Sequence, residues 1–310
     1  MKSKPLTTAR VRAPASTSNL GAGFDCVGVA VDRWLSASVE VSDKSSSVTM
    51  TRGGAIARLS HDAEGDLVHV GFRLACDACD RPVPRGVAYD VTSTIPVARG
   101  LGASAAALVA GAFLAKGSLD LDLDPEAIAT LCARYEGHPD NAAPSVFGGA
   151  MLGIPVDNRG KYAFARLRIH AGLALVFAVP DLELLTSEAR AVLPKTVSHA
   201  IAVTAAAKSA ALIEGMSSGD KTLLSFALDD LLHVPFRRQL MPGYDSIVDA
   251  AVKIGAFGAT LSGSGSTIVA VAPRATATKV GVAMQSAWQS LGHAAEVIVT
   301  DKMVDGAVLE

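Results

Sequence analysis

The chain has 310 residues, half of them hydrophobic, with 28 Lys and Arg against 30 Asp and Glu and a formal net charge of -2. That composition suits a globular protein of about two domains. With both signs of charge spread along the chain and aromatics at 5%, it excludes a basic nucleic-acid stripe, a polybasic membrane patch and a stacking platform for bases.

The longest apolar run, Ala103 to Ala115, is shorter than the ~20 residues of a membrane span. The basic start has no apolar h-region behind it, so no secretory signal is expected. Four cysteines, at 26, 76, 79 and 132, are expected as reduced thiols in a cytoplasmic protein. Cys76 and Cys79 have C-x-x-C spacing but lack the second pair or His cluster of a zinc site.

Residues 1–8 read as a polar tail and 10–13 as a strand. The stretch 14–25, PASTSNLGAGFD, reads as a loop by composition, and it holds Asn19 and Asp25. Such a loop is either functional or a hairpin or crossover turn whose Asn and Asp satisfy their own backbone. Strands are expected at 27–31, 35–41 and 48–51. A mixed loop over 52–66 then leads to Asp66, an N-cap for an amphipathic helix reading LVHVGFRLACDAC.

A strand over 87–95 feeds the most informative stretch, IPVARGLGASAAALVAGAFLA, residues 95–115. Pro96 ends the strand, Gly100 and Gly102 make a loop, and a small-residue helix runs from Ala103 to about 116. Strand, glycine loop and helix start build an anion site, because unpaired N–H groups and the helix dipole meet the ligand there. Arg99 and Ser104 add a charge and a hydroxyl, and the implied ligand is phosphate. The loop lacks the Lys of a Walker A motif, and Ala105 stands where a dinucleotide fingerprint needs its third Gly. The plainer alternative is a buried helix after an ordinary glycine turn.

Asp124 and Pro125 start a helix that runs to about 135. Glu136-Gly-His-Pro-Asp-Asn follows and packs two carboxylates, a His and an Asn into six residues. A carboxylate here suits Mg²⁺, which takes one or two carboxylates beside phosphate oxygens. His138 reads as a capping or core imidazole. Strands at 148–155, 163–169 and 172–179 surround a soft domain boundary near 160–170. Thr186 and Arg190 share one helical face. Helices over 198–216 and 221–232, a basic loop at 233–238 and a helix capped by Asp245 follow. The chain then reads strand 258–261, small-residue loop 262–267, strand 268–271, helix 276–291 and strand 294–299, a split βαβ layer.

Three separated loops, NLGAGFD, PVARGLGASAA and SGSGST, resemble the signature motifs of the GHMP small-molecule kinases. EGHPDNAAP, TSEARAVLP and HVPFRRQLMPG extend the resemblance in register, most closely to the homoserine kinases of that family. Three positions depart from its pattern: Ala103 replaces a Ser, Ser266 a Pro, and Asp66 the Asn that starts the helix lining the adenine pocket.

The resemblance implies an α+β, two-domain GHMP kinase fold. Residues 1–165 would form an ATP-binding domain like ribosomal protein S5 domain 2, and 166–310 a ferredoxin-like domain, in a homodimer. It implies transfer of the ATP γ-phosphoryl group to the hydroxyl of L-homoserine in threonine biosynthesis, with Mg²⁺. The nucleotide would be bound by Pro96, Val97, Ala98, Arg99, Gly100, Leu101, Gly102, Ala103, Ser104, Ala105 and Ala106, with Asp66. Ser104, Glu136 and Asn141 form the implied catalytic set, and Ser104 and Glu136 neighbour the metal. The substrate set is Asn19, Asp25, Asp140, Asn141, Thr186, Arg190, Arg237 and Gly263. In it Asp140, with Asp25 as alternative, takes the ammonium, and Arg190 and Arg237 take the carboxylate. A dedicated general base is not implied. The alternatives are a GHMP kinase for another small alcohol and a non-catalytic ATP-binding homologue.

Overall fold

The structure, a computed structural model, describes residues 7–42, 45–157 and 160–310. The tail expected over 1–8 lies outside the described residues apart from Thr7 and Thr8, which open a strand.

That strand, β1 (Thr7–Asn19), pairs antiparallel with the 19-residue β2 (Gly23–Val41). The loop expected over 14–25 is therefore mostly strand. Ser16, Thr17 and Ser18 are buried and paired to β2, and the turn shrinks to residues 20–22. Ser and Thr suit a turn by composition, but here the pairing partner and burial decide. The two strands expected at 27–31 and 35–41 are one, with a register shift opposite Pro14 and Ala15.

β3 (Val48–Gly54), α1 (Leu67–Ala78) and β4 (Val87–Ser93) form a crossover, with β3 and β4 parallel. Asp66 caps α1 as expected, its side chain accepting from the Val68 N–H. α2 (Ala103–Leu119) is buried nearly all round, and α3 (Pro125–Glu136) starts at its Asp124 cap. A short helix the sequence reading lacked, α4 (Ala142–Phe147), precedes β5 (Ala150–Pro155) and β6 (Tyr162–Leu167).

β7 (Leu173–Pro180) opens a second sheet, followed by α5 (Thr186–Ala191), α6 (His199–Ser218) and α7 (Lys221–Leu228). α7 ends four residues before its expected limit, at a turn around Asp230. The basic loop holds α8 (Val234–Arg237). α9 (Tyr244–Lys253) has Gly243 at its N-cap, so Asp245 lies in the first turn and is not the cap. β8 (Gly258–Leu261), β9 (Ile268–Pro273), α10 (Ala277–Ser290), β10 (Ala295–Thr300) and β11 (Val308–Leu309) complete the chain.

Among the described residues, the first sheet has the order β11-β1-β2-β4-β3, with β5 beside β2 and β6 beside β5. The second, β10-β7-β9-β8, is antiparallel throughout and has the strand order of a split βαβ layer. One apolar core fills the space under the first sheet around α1, α2 and α3 and reaches one face of the second sheet. A smaller core lies between the other face and α9 and α10, around the fully buried Trp288. The fold is α+β. None of its described helices is long and apolar enough to cross a membrane.

Candidate active site

A cleft of about 580 Å³ opens where β1, β4, α2 and α3 meet α5 and α8 and the turn between β8 and β9. The chain from Ile95 to Gly102 forms one wall. Ala98, Gly100 and Gly102 have φ of 54°, 73° and 63°, a left-handed succession that folds the backbone tightly before α2. No side chain caps α2, so its first N–H groups remain unpaired by any capping group at the cleft.

Both halves of the chain hold this loop. The Leu101 carbonyl accepts from the Ser16 N–H, and the Ala98 carbonyl from the Leu184 N–H. The Ser262 hydroxyl donates to the Gly100 carbonyl at 2.6 Å. Arg99, expected to add charge to the anion, is otherwise engaged. Its guanidinium donates to the carbonyls of Pro180, Val97 and Asp181 and pairs with Glu183, so it fastens the loop to the second sheet. The side chains of Ala105 and Ala106 are buried, and the Ala106 N–H already donates to the Gly102 carbonyl at 3.0 Å. Ala106 therefore offers an anion nothing, and it leaves the expected set.

Ser104 projects from the first turn of α2 and donates to Oε1 of Glu136, the last residue of α3, at 2.6 Å. Oε2 of Glu136 is buried and makes no hydrogen bond. Burial pushes the Glu136 carboxyl above its ordinary range, against the opposing pull of His138 and the Ser104 hydroxyl. A buried carboxylate oxygen without a partner, beside a hydroxyl and an uncapped helix end, is a hard-oxygen donor set that suits a divalent cation next to phosphate.

Across the cleft, Asp140 is almost fully buried and hydrogen-bonded to Nδ1 of His138. His138 thus lines the cleft, contrary to the expectation of a capping or core imidazole. Burial lowers its affinity for a proton, but the Asp140 hydrogen bond and the charges of Asp140 and Glu136 outweigh that and raise it overall. One ligand atom each from Asp25, His138 and Asp140 lies within 4.8 Å of the others. Asn141 accepts from the Ser16 hydroxyl at 2.9 Å and donates to Ser18 at 3.1 Å, which locks its amide.

Asn19 sits in the left-handed region, φ 73°, at the tip of the first hairpin. Its oxygen accepts from the Asp25 N–H at 3.0 Å, and its nitrogen donates to the Gly263 carbonyl at 2.9 Å. The Asn thus satisfies a hairpin backbone, as one of the two expectations had it, and the hairpin reaches the cleft. Thr186 lies 3.3 Å from the Ser264 hydroxyl at the opposite rim. Arg190 pairs with Asp25, and Arg237 is 2% exposed, with its Nε donating to the Ala189 carbonyl and its Nη1 to that of Gly263.

At the far end of the cleft, Oδ2 of Asp66 accepts from Arg52 at 3.0 and 2.8 Å and lies 3.3 Å from His61, while Oδ1 caps α1. Ile56, Leu59 and Val91 give that end an apolar lining. The sequence reading gave no site role to His61, His138 and Ser264, which line the cleft, or to Arg52, which holds Asp66 there. Of these, His138 lay in the quoted stretch EGHPDN and Ser264 in SGSGST, while Arg52 and His61 lay in no motif.

Residues 66–149 match the family described as GHMP kinases N terminal domain, and residues 212–290 match GHMP kinases C terminal. The chain belongs to the GHMP kinase family, and is accordingly an ATP-using kinase. Its relatives within that family include homoserine kinases. That of Nostoc sp. is 36% identical over 94% of this chain and 95% of its own length. That of Deinococcus radiodurans is 39% identical over 86% and 85%. The crystal structure of homoserine kinase from Cytophaga hutchinsonii superposes with a TM-score of 0.87 at 29% identity, covering 98% of both chains.

Proposed function

We propose that this protein transfers the γ-phosphoryl group of ATP to the side-chain hydroxyl of L-homoserine, giving O-phospho-L-homoserine and ADP on the route to threonine. One observation carries the reading. The uncapped start of α2, with Ser104 and Glu136, faces the same cleft as a buried cation, Arg237, and a buried carboxylate, Asp140. Phosphate chemistry needs the first pair of features. A zwitterionic alcohol needs the second.

The loop from Pro96 to Ser104 cradles the triphosphate with its backbone N–H groups, and the apolar end beside Asp66 takes the base. Ser104 and Glu136 would hold Mg²⁺, which would supply neutralisation of phosphate charge. Asp140 binds the substrate ammonium and Arg237 its carboxylate. Asn141 and Thr186 orient the hydroxyl. The hydroxyl oxygen attacks the γ-phosphorus, the bond to the β,γ-bridging oxygen breaks, and ADP leaves. Asp25 is held by Arg190 and Asp140 by His138, and, as the family resemblance implies, the reaction uses no dedicated base. The hydroxyl proton passes to a phosphoryl oxygen, and rate comes from positioning and charge neutralisation.

The two sheets support a division into a nucleotide-binding unit, 1–165, and a second unit, 166–310, with β11 returning to the first sheet. The family resemblance adds a homodimer, to be read by light scattering. The activity is tested by ADP release from Mg·ATP with L-homoserine, L-serine, L-threonine, mevalonate and pantoate side by side. Homoserine-dependent turnover at kcat/KM of about 10⁴ M⁻¹s⁻¹ or more supports the reading. Turnover with another alcohol alone overturns the substrate residues. ATP binding without turnover leaves a non-catalytic homologue, with Ala103 the first residue to revert.

A further inference from the structure

The turn that carries Arg237 holds an imidazole that the scheme above does not use. His233 has no exposed surface, and its ring stacks on Phe24 at 4.9 Å and 17°. Nδ1 lies 3.3 Å from Nη1 of Arg237. A guanidinium only donates, so Nδ1 must be the acceptor and the ring proton sits on Nε2. Nε2 faces the Gly21 carbonyl at 3.3 Å, which takes that proton as acceptor. Only the neutral Nε2–H tautomer satisfies both contacts.

The turn around the imidazole is fixed independently. Oδ2 of Asp230 accepts from the backbone N–H groups of Leu232, His233 and Val234 at 2.9, 2.6 and 2.9 Å. Arg237 has only neutral partners: the Ala189 and Gly263 carbonyls, the His233 ring, and the Phe24 face at 5.3 Å. Among the described residues no carboxylate forms an ion pair with it. Its charge is buried at the cleft wall, with Asp25, Asp140 and Asp230 acting on it only through space, and the direction of its fork rests on these neutral acceptors.

We propose that His233, as the neutral Nε2–H imidazole, is a positioning residue that aims the guanidinium of Arg237 at the substrate carboxylate and ties it to the hairpin turn at Gly21. The proposal rests on the reading of Arg237 as the carboxylate clamp. Burial pushes His233 down to about 4, Asp230 opposing and Arg237 adding, so the ring stays neutral at working pH.

The test compares His233→Phe, which keeps an aromatic ring without the acceptor, with His233→Asn, whose amide oxygen stands where Nδ1 stood. KM for L-homoserine and for ATP, and kcat, are measured for each. The same is done for L-homoserinamide, as substrate or as competitor, because its carboxylate is replaced by a neutral amide. His233→Phe is expected to raise KM for L-homoserine about 10-fold or more, the scale of a lost hydrogen bond to a charged group. KM for ATP and the affinity for the amide stay within about 2-fold, and His233→Asn recovers most of the loss.

An equal loss with acid and amide, or no loss with either, overturns the proposal and leaves His233 a packing residue. Arg237→Ala separates the two levels. If it leaves KM for homoserine unchanged, the clamp reading itself fails. If it raises KM while His233→Phe does not, only the positioning role fails. Should His233→Phe not fold, ¹⁵N-histidine-labelled wild-type protein reports the tautomer directly. The resonances absent from His233→Asn must show Nε2–H and a bare Nδ1 between pH 6 and 8, and a charged ring or the other tautomer overturns the proposal.

Discussion

Arg190 gives both terminal nitrogens to the carboxylate of Asp25, at 2.8 and 3.2 Å, across the cleft from α5 to the start of β2. Read from the sequence alone, these residues bind opposite ends of the substrate; in the fold they bind each other. In the proposed reading Arg237 takes the carboxylate and Asp140 the ammonium, and the Asp25–Arg190 pair shapes the wall between them. Each side chain is more than a third exposed, so the pair contributes at most about 1 kcal/mol to stability. Asp25→Asn and Arg190→Gln should each raise KM for homoserine while Tm stays within about 2 °C. The double variant should be no worse than the worse single one, the mark of coupled residues in a mutant cycle. Additive losses would mean that the two act separately.

Glu136→Gln keeps the shape of the side chain and removes the charge that suits a cation. It should lower kcat by about 100-fold or more, as loss of a preorganised electrostatic partner does. The Mg²⁺ concentration for half-maximal rate should rise, with KM for homoserine little changed. Ser104→Ala should move both in the same direction by less. A Mg²⁺ titration superimposable on wild type would place the metal elsewhere.

Asp140→Asn should raise KM for homoserine far more than KM for ATP, because in the proposed reading Asp140 binds the substrate ammonium and makes no contact with the nucleotide. It also removes the charged partner of His138. If both Michaelis constants hold at wild-type values, the ammonium is bound by another group.

Gly100→Ala meets two obstacles. Its φ is 73°, and a Cβ would lie 2.1 Å from the Ser262 carbonyl oxygen, which belongs to backbone. The loop must open, so Tm should fall by about 5 °C or more and KM for ATP should rise. Gly137→Ala is the control: φ is 86° but nothing lies within 4 Å, so only the roughly 1 kcal/mol of left-handed strain applies. Equal losses in the two variants would refute the steric account of the loop.

Acid should weaken the fold through His233. Its folded value is pushed down to about 4 by burial, faced by Asp230 on its own turn, by Arg237 on α8 and more remotely by Asp25 on β2, while the unfolded ring titrates near the ordinary 6.5. Between those values the unfolded chain binds the extra proton. Stability is therefore intact above about pH 6.5 and erodes as pH falls toward 4, by the order of 3 kcal/mol. Urea midpoints from pH 4.5 to 7.5 check this: the slope should flatten in His233→Asn, and a wild-type slope in that variant would assign the effect to another group.

Much of the fold was legible in the chain because its signals are local. Asp66 and Asp124 are side-chain caps that act within three residues, and the structure shows each accepting from a helix N–H. The glycine loop before α2 needs left-handed backbone at Gly100 and Gly102, which the residue type itself permits. Where local chemistry was ambiguous, the reading slipped. The Ser- and Thr-rich stretch before Asn19 became strand because β2 was available to pair with it, and Asp245 lost its cap role to Gly243 two residues earlier.

By itself, then, the sequence determined the glycine loop before α2, the caps of α1 and α3, and the family. Only the tertiary structure decided which charges meet. Asn19 touches Gly263 across 244 positions, Asp25 finds Arg190 across 165, and His233 reaches back 212 to Gly21. Capping and turn preferences are short-range properties of the backbone and can be read from neighbours. The partner of a buried charge is set by which distant segments the core brings within about 3 Å, and no short-range signal encodes that.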